Sequence, residues 1–503
     1  MPYRVFPLGR LAPILLLASL SSTPAKADII DRAIAGLSGF VFYKVSLFGE
    51  PVQLIVLWMA APMVFLTVWL GFINVRSFRI ALDILRGRYR DDSAPGEVTQ
   101  FQALSTALSG TVGLGNIAGV AIAIHHGGPG AAFWMLVIGF FAMSLKFAEC
   151  TLGVKYRKIH ADGTVSGGPM HYLARGLKAR GWKRIGAVLG WSYALFALPS
   201  LLQIAQVNQA YSQISAVLGI DAPWAFGLLT AFVIGIVIIG GIRSIAKVTA
   251  RLVPLMAILY IGASLFILGS NAAAIPDAIA TILGAALRPE AGIGAVVAAF
   301  VWGMRRAVYS TEAGLGSATM AHAAARTNEP VSEGLVALME PFVDTVVISS
   351  MTALVIVVTG AYRLDGLNDI QITSAAFNSV LEGFDIVLAV AVLLFAWSTI
   401  LSWGYYSGKI WEFLFGHSRI SQTLFKFVYV VALIPGAALT VGQVIDIMDS
   451  FFFLMAVPNI IGIYLMAGEL RRDTRDYLAR LKAGRIPEYP RDATALERKE
   501  SPT

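Results

Sequence analysis

Charge is the first scarcity in this chain. Only 14% of its 503 residues are Asp, Glu, Lys or Arg, against about a quarter in soluble domains, so a water-solvated globule is excluded. Cysteine is nearly absent. Cys150 stands alone, which rules out an internal disulfide and a cysteine metal cluster. The six histidines show no metal-ligand spacing, and His125 and His126 are simply adjacent in a glycine-rich outer turn. Gly110 to Gly115 lacks the lysine that follows in a phosphate-binding loop. With no cluster of acids, bases or metal ligands, the chain does not read as an enzyme. The formal charge of +8 is not a nucleic-acid signature either, because the basic residues fall in alternate inter-span segments.

Long apolar runs are abundant. Hydrophobic residues make up 57% of the chain, the composition of an all-α polytopic membrane protein. Arg4 and Arg10 precede the apolar run Leu11 to Leu20, and Ala25-Lys26-Ala27 offers a cleavage site, so residues 1–27 read as a signal peptide. Residues 28–50 follow as a periplasmic interfacial helix, and 51–74 as an extra transmembrane helix. Ten further spans form two sets of five. The first set, 101–124, 131–154, 185–210, 223–241 and 252–270, makes a repeat over 101–270. The second, 292–324, 335–360, 385–408, 423–441 and 444–468, makes a repeat over 292–468. Amphipathic helices near 274–287 and 371–381 are expected at the outer face, and 469–503 is a charged cytoplasmic tail.

The positive charges orient these eleven spans. Predicted inner segments carry Arg76, Arg79, Arg86, Arg88 and Arg90, then Lys155, Arg157 and Lys158, then Arg243, Lys247 and Arg251, then Lys409, Arg419 and Lys426. Predicted outer segments of the mature chain hold only Arg32, Lys44, Arg288 and Arg363. The mature N-terminus is therefore expected outside a cell inner membrane and the C-terminus in the cytoplasm. An odd number of spans per repeat makes the repeats inverted.

Two spans are written against the rules for crossing lipid. Ser109 to Gly119 reads SGTVGLGNIAG, with glycines at 110, 113, 115 and 119 and the polar Ser109, Thr111 and Asn116. Gly costs about 1 kcal/mol against Ala within a helix, and buried polar side chains need partners. Tyr309 to Ser317, YSTEAGLGS, repeats the theme at the matching place of the second half. Paired glycine-broken segments mark the binding site of inverted-repeat transporters, with freed main-chain groups facing a midplane cavity. The core is thus ten helices in two inverted repeats, its first and sixth helices broken.

Several side chains could carry the chemistry. Asn116 offers an amide at the first break, with Thr111 on its other side; the alternative is that Asn116 caps the second half-helix. Main-chain N–H groups of 112–116 suit an amino acid's carboxylate. Asp344 and Glu312 are carboxylates within apolar spans, which normally face a cavity. Asp344 is a candidate cation ligand, and Glu312 is expected to bind directly or to hold the break open by accepting backbone N–H bonds. Ser398 and Thr399 are adjacent hydroxyls of the kind a small hard cation uses, although membrane hydroxyls commonly bond their own helix. Lys146 and Glu149, at i and i+3, are expected to pair. Trp302 walls the pocket or simply packs, and Gln203, Gln206 and Asn208 put amides on the third core span. Two adjacent arginines, Arg305 and Arg306, cannot share one helix face, so at least one should meet a carboxylate or a vestibule.

FQALSTALSGTVGLGNIAGVA, HHGGPGAAFWM, KFAECTLGVKYR, VSGGPMHYLARGL, VWGMRRAVYSTEAGLGSATMAHAAA and FAWSTILSWGYYSGKIWEFLFG together resemble the alanine or glycine:cation symporters, in order over roughly residues 50–470. Gly113 to Asn116 also resembles the first-helix motif of neurotransmitter:sodium symporters, which share that core. The resemblance implies sodium-driven uptake of alanine or glycine. It places substrate against Thr111, Gly113, Gly115, Asn116, Gln203 and Trp302, and sodium against main-chain oxygens near Ser109 and Gly110 with Ser398 and Thr399. Two residues depart from the family pattern: Leu114 stands where Thr is usual, and Thr311 where Asn is usual.

The sequence therefore reads as a secondary active transporter. Its expected partners are sodium as the coupling ion, a small neutral amino acid and membrane lipid. No other cofactor, nucleic acid or oligomer is expected. A channel would need a continuous polar lining, and a membrane enzyme would need clustered catalytic groups. A proton-coupled symporter, using Asp344 or Glu312, is the alternative within the same class.

Overall fold

The computed structural model describes residues 35–47, 50–288, 292–364, 366–367, 370–381, 383–439 and 442–488. The expected signal peptide lies outside them. Among the described residues of the interfacial segment, 35–41 are helical, and β1 (Lys44–Leu47) pairs with β2 (Glu50–Gln53) as an antiparallel hairpin. The expectation of one helix over 28–50 is corrected there. Lys44-Val-Ser-Leu alternates polar and apolar residues, a strand period rather than a helical one.

Helices make up nearly all the rest. In chain order the main ones are α1 (Leu54–Trp69), α2 (Gln100–Thr111), α3 (Ala118–Gly127), α4 (Gly130–Lys155), α5 (Pro169–Ala179), α6 (Lys183–Ala197), α7 (Ile204–Leu218), α8 (Pro223–Ile239), α9 (Gly241–Ser270) and α10 (Ile275–Leu287), with two short helices, Ile73–Arg76 and Phe78–Leu85, between α1 and α2. There follow α11 (Ile293–Thr311), α12 (Thr319–Ala323), α13 (Pro330–Val358), α14 (Ile370–Asn378), α15 (Phe384–Phe415), α16 (Arg419–Leu433) and α17 (Gly442–Lys482). Among the described residues, seven helices are long and apolar enough to cross a membrane. The expected spans at 51–74 and 223–241 appear as the shorter α1 and α8. Those at 101–124 and 292–324 appear as the interrupted pairs α2/α3 and α11/α12. The amphipathic segments expected near 274–287 and 371–381 are α10 and α14.

Local signals start these helices where the chain dictates. Thr99 caps α2, accepting from the Gln102 N–H while the Gln102 side chain accepts from the Thr99 N–H, a reciprocal capping box. Pro169, Pro223 and Pro330 open α5, α8 and α13, where a missing N–H costs nothing. Leu228, Phe232, Ile236 and Ile239 of α8 stay exposed, as an apolar face turned to lipid should.

The interior is organised on α4, which packs against α1, α10, α11 and α13. Helix α2 lies on α9 and α15, and α3 lies on α11. Both expected breaks are present. After α2 the chain turns extended at Val112 (φ −70°, ψ 102°), makes one 3₁₀ turn at Leu114–Asn116 and re-enters helix at Ala118. After α11, Glu312 (φ 50°), Gly314 (φ 96°) and Gly316 (φ 74°) take left-handed conformations before α12 begins. Glycine makes two of those three positions cheap. Within α13, Phe342–Ser349 is π-helical, and this loosened stretch carries Asp344.

Candidate functional site

The two breaks meet at a cavity of about 350 Å³. Gly110, Thr111, Gly113 and Gly115 of the first break line it, with Ala118, Gly119 and Ile122 of α3. Facing them are Gln203 and Gln206, joined by Gln209, and Thr399 and Trp403 of α15. Arg306, Tyr309 and Glu312 come from α11 and its cap, and Met448, Asp449 and Phe452 from α17. The absence of side chains at the first break lets α15 approach. A Cβ built on Gly113 would stand 3.1 Å from Thr399 Oγ1, and one on Gly110 would stand 3.2 Å from the Tyr406 hydroxyl.

Beneath the cavity floor lies a run of hydroxyls and carbonyls between α2 and α15. Ser398 Oγ donates to its own helix at Phe395 O (2.9 Å) and reaches Ser109 O at 3.3 Å. Ser402 Oγ donates to Thr106 O at 2.7 Å and pairs with Ser109 Oγ. Thr399 Oγ1 is buried and, among the described residues, has no hydrogen-bond partner. Ser109, Gly110, Ser398 and Thr399 are therefore brought together, at the depth of the first break. Hard oxygens in this arrangement suit an alkali cation.

Asn116 and Asp344 are placed elsewhere than the sequence suggested. Asn116 is fully buried behind the cavity. Its Oδ1 accepts from the Gly113 N–H at 2.9 Å. Its amide nitrogen lies 2.6 Å from Asp344 Oδ1, 2.9 Å from Asp344 O and 2.9 Å from Ser310 Oγ. Asp344 Oδ2 accepts from Ser310 Oγ (2.6 Å) and Thr345 Oγ1 (2.7 Å). The pair stitches the unwound chain to α11 and α13, so neither side chain lines the cavity. Asn116 bonds the chain before it rather than capping α3.

Three other expectations are corrected. Trp302 is not at the cavity: its ring stacks on His126 at 4.5 Å and lies under Arg305 at 5.4 Å, beside the end of α3. The tryptophan at the cavity is Trp403, whose Nε1 donates to Glu312 Oε1 at 3.1 Å. Lys146 does not pair with Glu149; Lys146 Nζ meets Glu340 Oε1 at 2.8 Å, both side chains fully buried. Glu149 Oε1 instead accepts from the Gly314 N–H (3.0 Å) and Asn459 Nδ2 (2.7 Å). It is therefore Glu149 that holds the second break through the backbone, while Glu312 caps α11 and accepts from Ser317 and Trp403. Asn208 turns from the cavity to donate to Leu439 O at 2.8 Å. Of the paired arginines, Arg306 reaches the cavity.

With that geometry in view, comparison with known proteins is informative. A family model described as the sodium:alanine symporter family matches residues 40–491. The chain belongs to the sodium:alanine symporter family. The sodium/alanine symporter AgcS of Methanococcus maripaludis is 38% identical over 82% of this chain and 92% of that protein. The putative sodium/proton-dependent alanine carrier protein YrbD of Bacillus subtilis is 33% identical over 88% of this chain and 94% of its own. The crystal structure of MhsT in complex with L-phenylalanine superposes with a TM-score of 0.53 at 13% identity, over 76% of this chain and 92% of MhsT. The fold is thus shared with a chain of nearly unrelated sequence. A sodium:alanine symporter family member is a multi-pass membrane transporter and not an enzyme, in agreement with the sequence analysis.

Proposed function

We propose that this chain couples sodium entry to uptake of a small neutral amino acid, alanine or glycine, by alternating access in a cell inner membrane. The observation that carries this reading is the pairing of two groups at one break. Main chain without side chains, at Gly113 and Gly115, faces the cavity, and an unpartnered Thr399 hydroxyl stands beside Ser398 and the Ser109 carbonyl. The substrate's carboxylate binds the freed main chain at the head of α3, where the helix dipole favours an anion. Gln203 and Trp403 bound the rest. Sodium takes Thr399 and Ser398 with main-chain oxygens of Ser109 and Gly110, and Asn116 with Asp344 keeps the break open. In this reading the spans form two inverted five-helix repeats after one extra helix, with the mature N-terminus outside. The α3 side of the cavity then faces outward. A membrane potential of 100 mV adds about 2.3 kcal/mol per charge moved.

Proteoliposome uptake of labelled alanine and glycine under an inward sodium gradient, against potassium, tests this. Sodium-dependent accumulation supports it, and uptake that merely equilibrates refutes it. One observation favours a proton arm. Glu312 is a buried carboxyl on the cavity wall, and the relative YrbD is named for both ions. Accumulation that follows a pH gradient without sodium would assign the coupling to that carboxyl.

A further inference from the structure

Far from the cavity, a hairpin of β3 (Lys158–Ile159) and β4 (Val165–Ser166) leaves the end of α4 and folds over the end of α15. The Val165 N–H donates to Glu97 Oε1 at 2.9 Å, just ahead of α2. Ser166 Oγ donates to Glu412 Oε1 at 2.5 Å, near the end of α15. Two histidines converge on the same carboxylate oxygen. His160 Nε2 lies 3.2 Å and His417 Nδ1 2.9 Å from Glu412 Oε1, and the three ligand atoms all fall within 4.8 Å of one another. His160 and His417 are 257 residues apart in a chain whose local spacing shows no metal motif.

We propose that His160, Glu412 and His417 form a binding site for a transition-metal dication of the zinc class. Neutral imidazole nitrogens with one carboxylate oxygen are a common zinc donor set. With ligand bonds near 2.0–2.1 Å, a tetrahedral site has ligand–ligand edges of about 3.3 Å, and two of the three edges here are already close to that. Gln422 Nε2 lies 3.0 Å from His417 Nδ1 and donates to its lone pair, a neutral bond that a metal ion would replace. The opposite nitrogen, His417 Nε2, points to Asp162 Oδ2 at 3.5 Å, the carboxylate–histidine arrangement that orients metal-binding imidazoles. Lys409 Nζ holds Glu412 Oε2 at 3.1 Å, which leaves Oε1 for the ion. Ser166 Oγ, 2.8 Å from His160 Nε2, completes the oxygen side. The two rings stack at 4.1 Å and 13°, and one ion cannot lie in both ring planes. One ring must turn, and His417 can: its side chain is 33% exposed and follows Gly416, at φ 92°.

The functional consequence rests on the alternating-access reading above. A metal here ties the hairpin to α15 and, through Val165 and Glu97, to the entry of α2, and so resists movement of that half-helix. The binding claim stands apart from transport. Tag-free full-length protein in detergent, stripped with chelator, is titrated with Co²⁺ by visible absorption and then with Zn²⁺ in competition. One saturable equivalent, a Zn²⁺ affinity lowered by more than about 100-fold in H417A and E412Q, and lowered about 10-fold in D162N, with H125A unchanged, is the expected result. Absence of saturable binding, or binding that H417A and E412Q leave intact, overturns the site. In proteoliposomes with the hairpin face accessible, Zn²⁺ slows uptake by the wild type and not by H417A. Equal slowing of both overturns the consequence while the titration still judges the site.

Discussion

Thr399→Val separates binding from folding. The Thr399 hydroxyl is buried without a hydrogen-bond partner among the described residues, so its removal breaks no bond. Replacing an unsatisfied buried hydroxyl by a methyl of similar shape is close to neutral, within about 1 kcal/mol, because the desolvation cost was already being borne. A cation contact is different. A dipole directed at a charge contributes about 1.5–3 kcal/mol, which at 1.4 kcal/mol per decade is roughly a 10- to 150-fold loss of sodium affinity. Thr399→Ser keeps the oxygen and should keep most of that affinity. The assay is the sodium concentration for half-maximal alanine uptake in proteoliposomes, beside the melting temperature of the detergent-solubilised protein. The expected result is a 10- to 150-fold rise in half-saturation for the Val variant, little change for the Ser variant, and unchanged melting for both. If sodium dependence is unaltered in Thr399→Val, the hydroxyl is no ligand and the reasoning fails. If melting collapses, the hydroxyl has a structural partner, and the premise of an unpartnered group is wrong.

Lys146→Met leaves the fully buried Glu340 with only His322 Nε2, 3.6 Å away, opposite its carboxylate, and should cost about 3–5 kcal/mol; adding Glu340→Gln should recover much of it, which melting of the single and double variants measures. Gly316→Ala forces a Cβ into the left-handed region (φ 74°) against Pro169 and Asn459. Strain and overpacking together should cost about 2–5 kcal/mol, while Gly484→Ala, at φ 65° in open space, should cost about 1–2 kcal/mol; the comparison is read from folded yield and melting. Arg480 meets Glu329 in a bidentate pair at 2.6 and 2.8 Å, with both side chains about one-third exposed. Arg480→Ala should therefore lower stability by no more than about 1 kcal/mol, which a melting shift of several degrees would contradict.

The breaks were legible because glycine and polar residues in an apolar run carry a cost that only a cavity or a buried partner repays. Gly110, Gly113, Gly115 and Thr399 were legible for the same reason. The identity of the wall tryptophan was also open to arithmetic. Trp302 is nine residues before Thr311, roughly 13 Å up the helix at 1.5 Å per residue, too far to reach the break. Trp403 is one turn from Thr399, on the same face. The partners of Lys146 and Asn116 were not legible. Local i,i+3 pairing describes exposed helices, where water is the alternative; a lysine with no water contact goes to whichever carboxylate is buried with it. Glu340 lies 194 residues away and Asp344 lies 228 residues from Asn116, so only the packing of α13 against α4 and α11 brings them in. The Glu412 site was hidden likewise, because spacing rules apply to ligands on one element.

The two breaks are held by different chemistry, and on the proposed alternating access that difference favours movement of one half-helix over the other. The second is fixed by charge: Glu149 binds the Gly314 N–H, Asn459 Nδ2 bonds both Glu149 and Gly314 O (2.8 Å), and Lys146 with Glu340 lies fully buried nearby. Moving it would separate buried ionic groups from their partners, at a cost of several kcal/mol. Beyond the first break Asn116 bonds the buried Asp344 carboxylate, but the α2 side is held by neutral hydroxyl bonds, through Ser398 and Ser402 to the carbonyls of Ser109 and Thr106. Each such bond is worth about 0.5–1.5 kcal/mol net and can be exchanged for water or a cation. On the alternating-access reading proposed above, the half free to move is therefore α2, with α15 hydroxyls as its releasable clasp. In the proposed site a cation held by Thr399 and Ser398 of α15 and by the Ser109 and Gly110 carbonyls of α2 would bind both sides of that clasp, so its departure is what would let α2 go.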